Sequence, residues 1–440
     1  MGTFAVVVFL GLVLAFAGSA RALRRIDVSA PMAFVAAGAL LSIALPDLDA
    51  SAQAKLTLLT EMTLALILFH DAAQVQPRQI DADKGLIVRL LLVGLPLTLG
   101  AGWLVGHAVF PGMSGLMLLL LAAAVAPTDA GLGAATVLNP VVPVRVRRML
   151  NVESGLNDGL CTPFVLFALA ALAGEEGLRP VESIRAALVD LAVGTLVGVA
   201  VGAGAALALG WSRRHGYSSR QTRPLAVLVL PLLAYFGAEL AGGNAFVAAF
   251  VAGTAFAGSA RWLQDEESSL GLTEALADPL GFAVWFAFGL VAVPLLVDHV
   301  GWAEVAFAVL ALTVLRMVPV ALALLGTGLR APTVAFVGWF GPRGLASVVF
   351  ALLAAEGLEL DADLTRVLTT ICLTVLLSVL AHGLSADPLS ARYGAWAQRT
   401  RPQAELVGST EPRARASLTR RGHRSPTKQV KDQPDDQPAA

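Results

Sequence analysis

Charge is what this sequence has least of. Asp, Glu, Lys and Arg make up only 14% of its 440 residues, against about 25% in ordinary globular proteins. Cysteine occurs twice, as Cys161 and Cys372, each inside an apolar run. Both read as small buried apolar residues, which excludes a disulfide framework and a cysteine metal site. The formal net charge of −1 gives no global attraction toward nucleic acid, so no nucleic-acid partner is expected. No GxxxxGK[ST] loop is present to cradle a nucleotide phosphate, and no cofactor is expected.

What replaces charge is apolar bulk. Hydrophobic residues supply 56% of the chain, more than a soluble fold of this size can hide from water. The expected class is an all-α polytopic membrane protein. A bilayer-crossing helix needs roughly 20 mostly apolar residues, and about 13 transmembrane helices are expected. They fall near 3–18, 30–46, 55–74, 87–109, 115–138, 151–173, 184–210, 223–241, 244–258, 274–297, 302–326, 332–355 and 364–384. From 386 the composition turns to Pro, Gln, Arg and Asp, so 1–385 reads as the membrane domain and 386–440 as a disordered cytoplasmic tail. That tail carries ten Arg and Lys against six acids. Its stretch Arg413–Lys431 is either simply solvated or drawn to anionic headgroups.

Basic loop residues set orientation. Arg21, Arg24, Arg25, Arg78, Lys84, Arg145, Arg147, Arg148, Arg213, Arg214, Arg220, Arg223, Arg261 and Arg330 all fall in odd-numbered loops. Only Lys55, Arg179, Arg185 and Arg366 fall in even ones. The N-terminus is therefore expected outside, the C-terminus in the cytoplasm, and the cell membrane is the expected location.

Ionisable residues inside a membrane are costly and default to functional candidates. Span five reads AVAPTDAGLGAA, and Pro127 removes a backbone donor, so the helix is expected to break beside Thr128 and Asp129. Asp129 then faces the positive N-terminal end of a half-helix; the plainer reading is a proline kink with a capping Asp. Span twelve reads GWFGPRGLASVVF, where Gly341, Pro342 and Gly344 surround Arg343. That cation is suited to the carbonyl-rich end of a broken helix, unless it merely snorkels to an interface. Spans five and twelve are seven apart and so run in opposite directions. Interrupted spans in corresponding inverted repeats are the sequence pointer to a midplane transport site.

Span six begins NVESGLNDGLCTPF. Glu153, Ser154, Asn157 and Asp158 share one helix face and offer hard oxygen donors, which suit a small hard cation. Glu153 is the expected partner of Arg343, because an unpaired buried Arg is costly. The plainer reading makes Glu153 and Ser154 an entry cap. Lesser candidates are Glu61, His70 and Asp71 on span three, with Asp71 placed near the cytoplasmic edge. Glu239 and Asn244 fall at a short external turn, and His382 near a membrane end, where solvation is the plainer reading. Arg316 lies deep in span eleven and requires a partner that the sequence does not identify.

Three stretches carry a resemblance. AVAPTDAGLGAATVLNPVVPVRVRRMLNVESGLNDGLCTPFVLF (124–167), GWFGPRGLASVVFALL (338–353) and AGGNAFVAAFVAGTAF (241–256) resemble the monovalent cation:proton antiporters of the NhaP and NHE type. The likeness extends over about residues 3–384. It implies a thirteen-span inverted-repeat fold with two discontinuous crossing helices, a homodimer, and electroneutral exchange of Na⁺ (or Li⁺ or K⁺) for H⁺, serving pH and sodium homeostasis. By position it implies an ion- and proton-binding role for Asp158, with Na⁺ held by Asp158, Asp129, Ser154 and Thr128. Asn157 matches the asparagine preceding that aspartate, and Glu153 with Arg343 matches a structural ion pair. The chain departs from the pattern on span three, where many relatives have a glutamate after Leu-Phe and this sequence has His70 then Asp71.

A desolvated carboxylate that holds either H⁺ or a cation is enough for exchange, and the neutral Asn157 adds no second titrating charge. The expected function is secondary antiport without enzymatic activity. K⁺/H⁺ exchange and a cation channel using the same acids remain the alternatives. An intramembrane protease built on Ser154 with His382, or on Asp129 with Asp158, lacks any protease-like motif around those residues.

Overall fold

Backbone polar groups inside a bilayer must be paired within the chain, and a helix does this locally. In the computed structural model, which describes residues 2–25, 28–44, 51–75, 77–174, 180–260, 262 and 269–406, the described residues are helical throughout apart from turns and breaks. Helices α1 (Gly2–Arg25), α2 (Ala30–Ala44) and α3 (Ser51–Gln74) come first. Next, α4 (Pro77–Arg89) passes through a π-helical turn, Leu90–Gly94, into α5 (Leu95–Val109). The expected fifth span divides into α6 (Gly115–Val125) and the short α7 (Ala134–Val137). Helices α8 (Val144–Ala173), α9 (Pro180–Arg214), α10 (Arg223–Leu240), α11 (Ala245–Ser259) and α12 (Gly271–His299) follow without a break. Two further spans are divided, into α13 (Trp302–Leu312) with α14 (Val314–Ala323), and α15 (Ala331–Trp339) with α16 (Leu345–Gly357). The described chain ends in α17 (Ala362–Thr400) and α18 (Gln403–Leu406).

Among the described residues, eight helices are long and apolar enough to cross a membrane, and α2, α6, α11 and α16 are shorter apolar helices. Polarity is distributed inside out. Leu240 is 91% exposed and Leu14 76%, whereas Arg148 and Arg343 are among the largest fully buried side chains. Such an arrangement suits hydrocarbon outside and polar contacts within. Close helix approach relies on small residues. Gly194, Gly198 and Gly202 repeat at four-residue intervals along α9 and face α11; a Cβ on Gly198 would lie 2.6 Å from the Ala248 carbonyl.

Residues of α4, α8, α18 and the turn after α14 gather at one end of the bundle. Asp83 is buried there and accepts from Arg145 Nε at 2.7 Å and from Arg148 Nε at 2.8 Å. Arg145 also donates to the Ala404 carbonyl, and Arg89 donates to the Leu325 carbonyl at 2.7 Å.

Two expectations are corrected. The change expected at 386 falls inside α17, which continues to Thr400 and buries Ala386, Ser390, Tyr393, Gly394 and Ala397. A left-handed turn at Arg401 (φ 42°) then lays α18 back on the bundle. Buried Glu405 accepts there from the Arg330 amide and the Thr333 hydroxyl, both at 2.8 Å, and so caps the first turn of α15. Residues 386–406 are therefore part of the folded body. Residues 407–440, with the basic stretch Arg413–Lys431, and the loop residues Arg179 and Arg261 lie outside the described residues. The second correction is the eleventh span, expected to be continuous. It is interrupted at Thr313 (φ −114°, ψ −92°).

Candidate functional site

The interrupted fifth and twelfth spans meet at their breaks. Helix α6 stops at Val125, just before Pro127, and α15 stops at Trp339, just before Gly341 and Pro342. The two unwound segments touch through a backbone bond from the Asp129 amide to the Pro342 carbonyl, 2.7 Å long.

A helix end leaves up to four amides or carbonyls without helical partners, and here two charged side chains take them. Asp129 Oδ2 accepts the Leu345 amide at the start of α16 at 2.8 Å, and Oδ1 accepts the Leu132 amide at 3.0 Å. Its negative charge thus sits on the positive N-terminal end of a half-helix. Arg343 does the converse. Nε donates to the Val125 carbonyl at the end of α6 at 2.8 Å, Nη2 to the Ala311 carbonyl at the end of α13 at 3.0 Å, and Nη1 to the Gly341 carbonyl. The interruption at Thr313 lies between Ala311 and Leu315, the residue whose amide would take the Ala311 carbonyl in an unbroken helix. Glycine is required at this crossing by close approach. A Cβ on Gly344 would overlap the Asp129 carboxylate, and one on Gly341 would lie 2.6 Å from Arg316 Nε.

Helix α8 presents its polar face to the crossing. Thr128 Oγ1 lies 2.9 Å from Ser154 Oγ and accepts from Asn157 Nδ2 at 2.7 Å, while Asn157 Oδ1 accepts the Thr128 amide at 3.3 Å. Thr128, Ser154 and Asn157 therefore form one buried network. Asp158 stands beside it on α8, 8% exposed, and its Oδ1 is buried without a hydrogen-bond partner. Asp129 and Asp71 are the carboxylates close enough to act on it electrostatically. Behind this face, Gly155 lets α3 approach: a Cβ there would lie 3.3 Å from the Asp71 carbonyl. A Cβ on Gly159 would overlap the Phe250 ring of α11. His70 is fully buried on α3, with Nε2 2.5 Å from Gln74 Nε2.

The expected Glu153–Arg343 pair does not form. Glu153 is instead held by Arg316, with Nη1 to Oε1 at 2.5 Å and Nη2 to Oε2 at 2.8 Å. The physical reason is supply of acceptors. Arg343 lies in unwound backbone and finds three carbonyls, whereas Arg316 lies in the helical first turn of α14 and needs a carboxylate. His382, expected to be solvated, is 2% exposed and bonded to the break in the twelfth span. Asn244 caps α11 by accepting the Val247 amide at 3.0 Å, Glu239 is exposed, and Glu61 accepts from the Tyr235 hydroxyl at 3.1 Å.

The site as built has one unsatisfied buried carboxylate oxygen, two hydroxyls and an amide, framed by half-helix ends whose charges are already matched. Among the described residues no group of three or more His, Cys, Asp or Glu is arranged to hold a metal ion. Any cation would rest on Asp158 and neutral oxygens, and a weakly held ion can leave as readily as it enters.

Known proteins share this fold and stretches of this sequence. A solved structure, that of the sodium proton antiporter MjNhaP1 from Methanocaldococcus jannaschii, superposes with a TM-score of 0.73 at 17% identity, covering 90% of this chain and 100% of that one; the likeness is one of fold. A Schizosaccharomyces pombe protein named Na(+)/H(+) antiporter is 27% identical over 342 residues, 68% of this chain and 71% of that protein. A protein of Alkalimonas amylolytica named K(+)/H(+) antiporter NhaP is 25% identical over 303 residues, 67% of this chain but only 50% of its own length. The family model described as sodium/hydrogen exchanger, transmembrane, matches residues 11–392, which include both broken helices and all of α8. This multi-pass membrane chain belongs to the sodium/hydrogen exchanger family.

Proposed function

We propose that this protein is a secondary antiporter that exchanges a monovalent cation for H⁺ at Asp158. The observation that carries the reading is Asp158 Oδ1, buried and without a hydrogen-bond partner. A bare carboxylate in that position is costly, so it is driven to hold something: a proton in one state, a cation in the other. Ser154 and Thr128 supply neutral oxygens beside it, and Asp129 adds negative charge nearby while its own oxygens cap backbone amides. Asn157 carries no charge, so one carboxylate turns over one proton per cation and exchange is electroneutral. Energy comes from the ion gradients, with no nucleotide, no cofactor and no catalytic chemistry.

Na⁺ is the proposed cation, in keeping with the name of the Schizosaccharomyces pombe protein, and K⁺ is the second reading, in keeping with the name of the Alkalimonas protein. The arginine-rich end of the bundle is proposed to face the cytoplasm of a cell membrane, with the N-terminus outside and the protein acting as a homodimer in pH and sodium homeostasis. The test is dequenching of a pH dye in inverted vesicles, titrated separately with Na⁺, K⁺ and Li⁺. Asp158→Asn is expected to insert normally and to abolish cation-dependent proton movement with all three. Undiminished exchange in that variant would refute the assignment.

A further inference from the structure

The break in the twelfth span is braced from the side by a pair of residues that the exchange site does not use. Between Trp339 and Leu345 the chain is unwound, so carbonyls ending α15 and amides preceding α16 lack helical partners. Helix α17 passes beside this gap with Ser378 and His382 one turn apart, 0% and 2% exposed. His382 Nε2 is 2.9 Å from the Trp339 carbonyl oxygen, on one side of the gap. Ser378 Oγ accepts the Arg343 amide at 2.6 Å, on the other side. Ser378 Oγ and His382 Nδ1 are 3.2 Å apart, which joins the two contacts.

Both ring nitrogens face oxygen. A carbonyl only accepts, so a proton on Nε2 serves the Trp339 carbonyl, while Nδ1 lies 3.0 Å from the Ser378 carbonyl oxygen and 3.2 Å from its hydroxyl. The contacts run without a gap from the Arg343 N–H through the Ser378 hydroxyl and the imidazole to the Trp339 carbonyl. Neither ring nitrogen is bonded to a carboxylate; the ring's partners are the Trp339 carbonyl and the carbonyl and hydroxyl of Ser378. The Trp339 side chain is tied to the same helix: its ring lies 5.1 Å from the imidazole, and its Nε1 donates to Ser385 Oγ at 2.9 Å.

We propose that His382 and Ser378 are positioning residues for exchange: they clamp the unwound segment 340–344 from both sides and so hold Arg343 on the carbonyl ends of α6 and α13. The proposal rests on the exchange reading above. Asp158 and Ser154 lie on α8, which the clamp does not touch, and Thr128 is held by Ser154 and Asn157 of that helix, so the clamp acts on turnover more than on cation affinity.

The experiment compares His382→Leu, Ser378→Ala and His382→Gln in reconstituted vesicles, reading maximal exchange rate, apparent KM for Na⁺, and pH profile. Loss of a buried hydrogen-bond link of this kind lowers the rate by about tenfold or more. His382→Leu and Ser378→Ala are expected to show that loss at nearly unchanged KM. His382→Gln keeps an N–H for the Trp339 carbonyl and an oxygen for the Ser378 hydroxyl, and is expected to recover most of the rate with the wild-type pH profile. A Gln variant as slow as the Leu variant would overturn the clamp, since the ring's titration and not its bonds would then matter. Wild-type rates in His382→Leu would overturn it as well. Should the Leu variant fail to insert, Ser378→Ala, a small change within α17, decides by the same criterion. A silent wild-type protein points instead to failure of the exchange reading, and in that case equal thermal stability of Ser378→Ala and wild type overturns the clamp.

Discussion

Glu153 and Arg316 should be coupled far more strongly than Glu153 and Arg343. The carboxylate accepts two N–H donors from Arg316 at 2.5 and 2.8 Å, and each side chain is only 3% exposed. Removing one member of such a pair leaves an uncompensated buried charge and costs about 3–5 kcal/mol, whereas removing both leaves no bare charge. Glu153→Gln and Arg316→Met are therefore each expected to be severely destabilising, and the double variant to be more stable than at least one of the singles. Arg343→Met destabilises by a different route. It strands the carbonyls of Val125, Gly341 and Ala311, at about 1–3 kcal/mol for each group left unsatisfied. Those losses have no compensation in Glu153→Gln, so the two effects should come close to adding. In a double-mutant cycle the 153/316 coupling should reach about 2 kcal/mol or more, in the upper part of the range for groups in direct contact. The 153/343 coupling should be well below it. Melting of the detergent-purified protein is irreversible in general, so apparent melting temperatures must be compared at one scan rate. If the 153/343 double variant proved the rescued one, the pairing read from this geometry would be wrong.

Other substitutions probe the crossing and the docked C-terminal segment. Gly344→Ala drives a methyl into the Asp129 carboxylate, and exchange should collapse in vesicles although the protein still reaches the membrane. Asp129→Asn keeps one good acceptor for the two amides at Leu132 and Leu345 and loses the charge on the α16 N-terminus; a cap loss of about 1 kcal/mol should appear as a lower apparent melting temperature, with no change if the cap is unimportant. Glu405→Ala removes the acceptor for Arg330 and Thr333, and should speed amide exchange at the start of α15. Truncation after 400 should do the same, and truncation after 406 should not.

Each part of this structure was legible in the sequence to the extent that its cause was local. Long apolar runs marked the helices because hydrocarbon imposes length and composition on each span separately. The breaks beside Pro127 and Gly341–Pro342 were equally local, since both carry residues that cannot continue a helix. The π-turn at Leu90–Gly94 had a usable signal that was not read: Pro96 has no N–H to offer the Leu92 carbonyl. The interruption at Thr313 had none, for neither Gly nor Pro stands there. The extension of α17 was hidden by falling hydropathy, although Ala386, Ser390, Tyr393, Gly394 and Ala397 keep a helical period along one buried face.

The partners of the two arginines are not legible in the motif, yet they follow from where acceptors are to be found. Arg316 and Arg343 are both buried, and Glu153 on α8 pairs with one of them. Motif likeness assigns it to Arg343. Backbone chemistry argues otherwise: a guanidinium flanked by Gly341, Pro342 and Gly344 sits where helices end, and helix ends have spare carbonyls. Arg316 sits inside a helical turn whose own carbonyls are spoken for by the i+4 amides. Only a side chain can neutralise it, and Glu153 is the buried carboxylate that does. The division of labour follows, with Arg343 and Asp129 satisfying the half-helix ends while Glu153 is consumed by Arg316. Asp158 is the acid left over on that face, and an acid left over is what a cation and a proton can compete for.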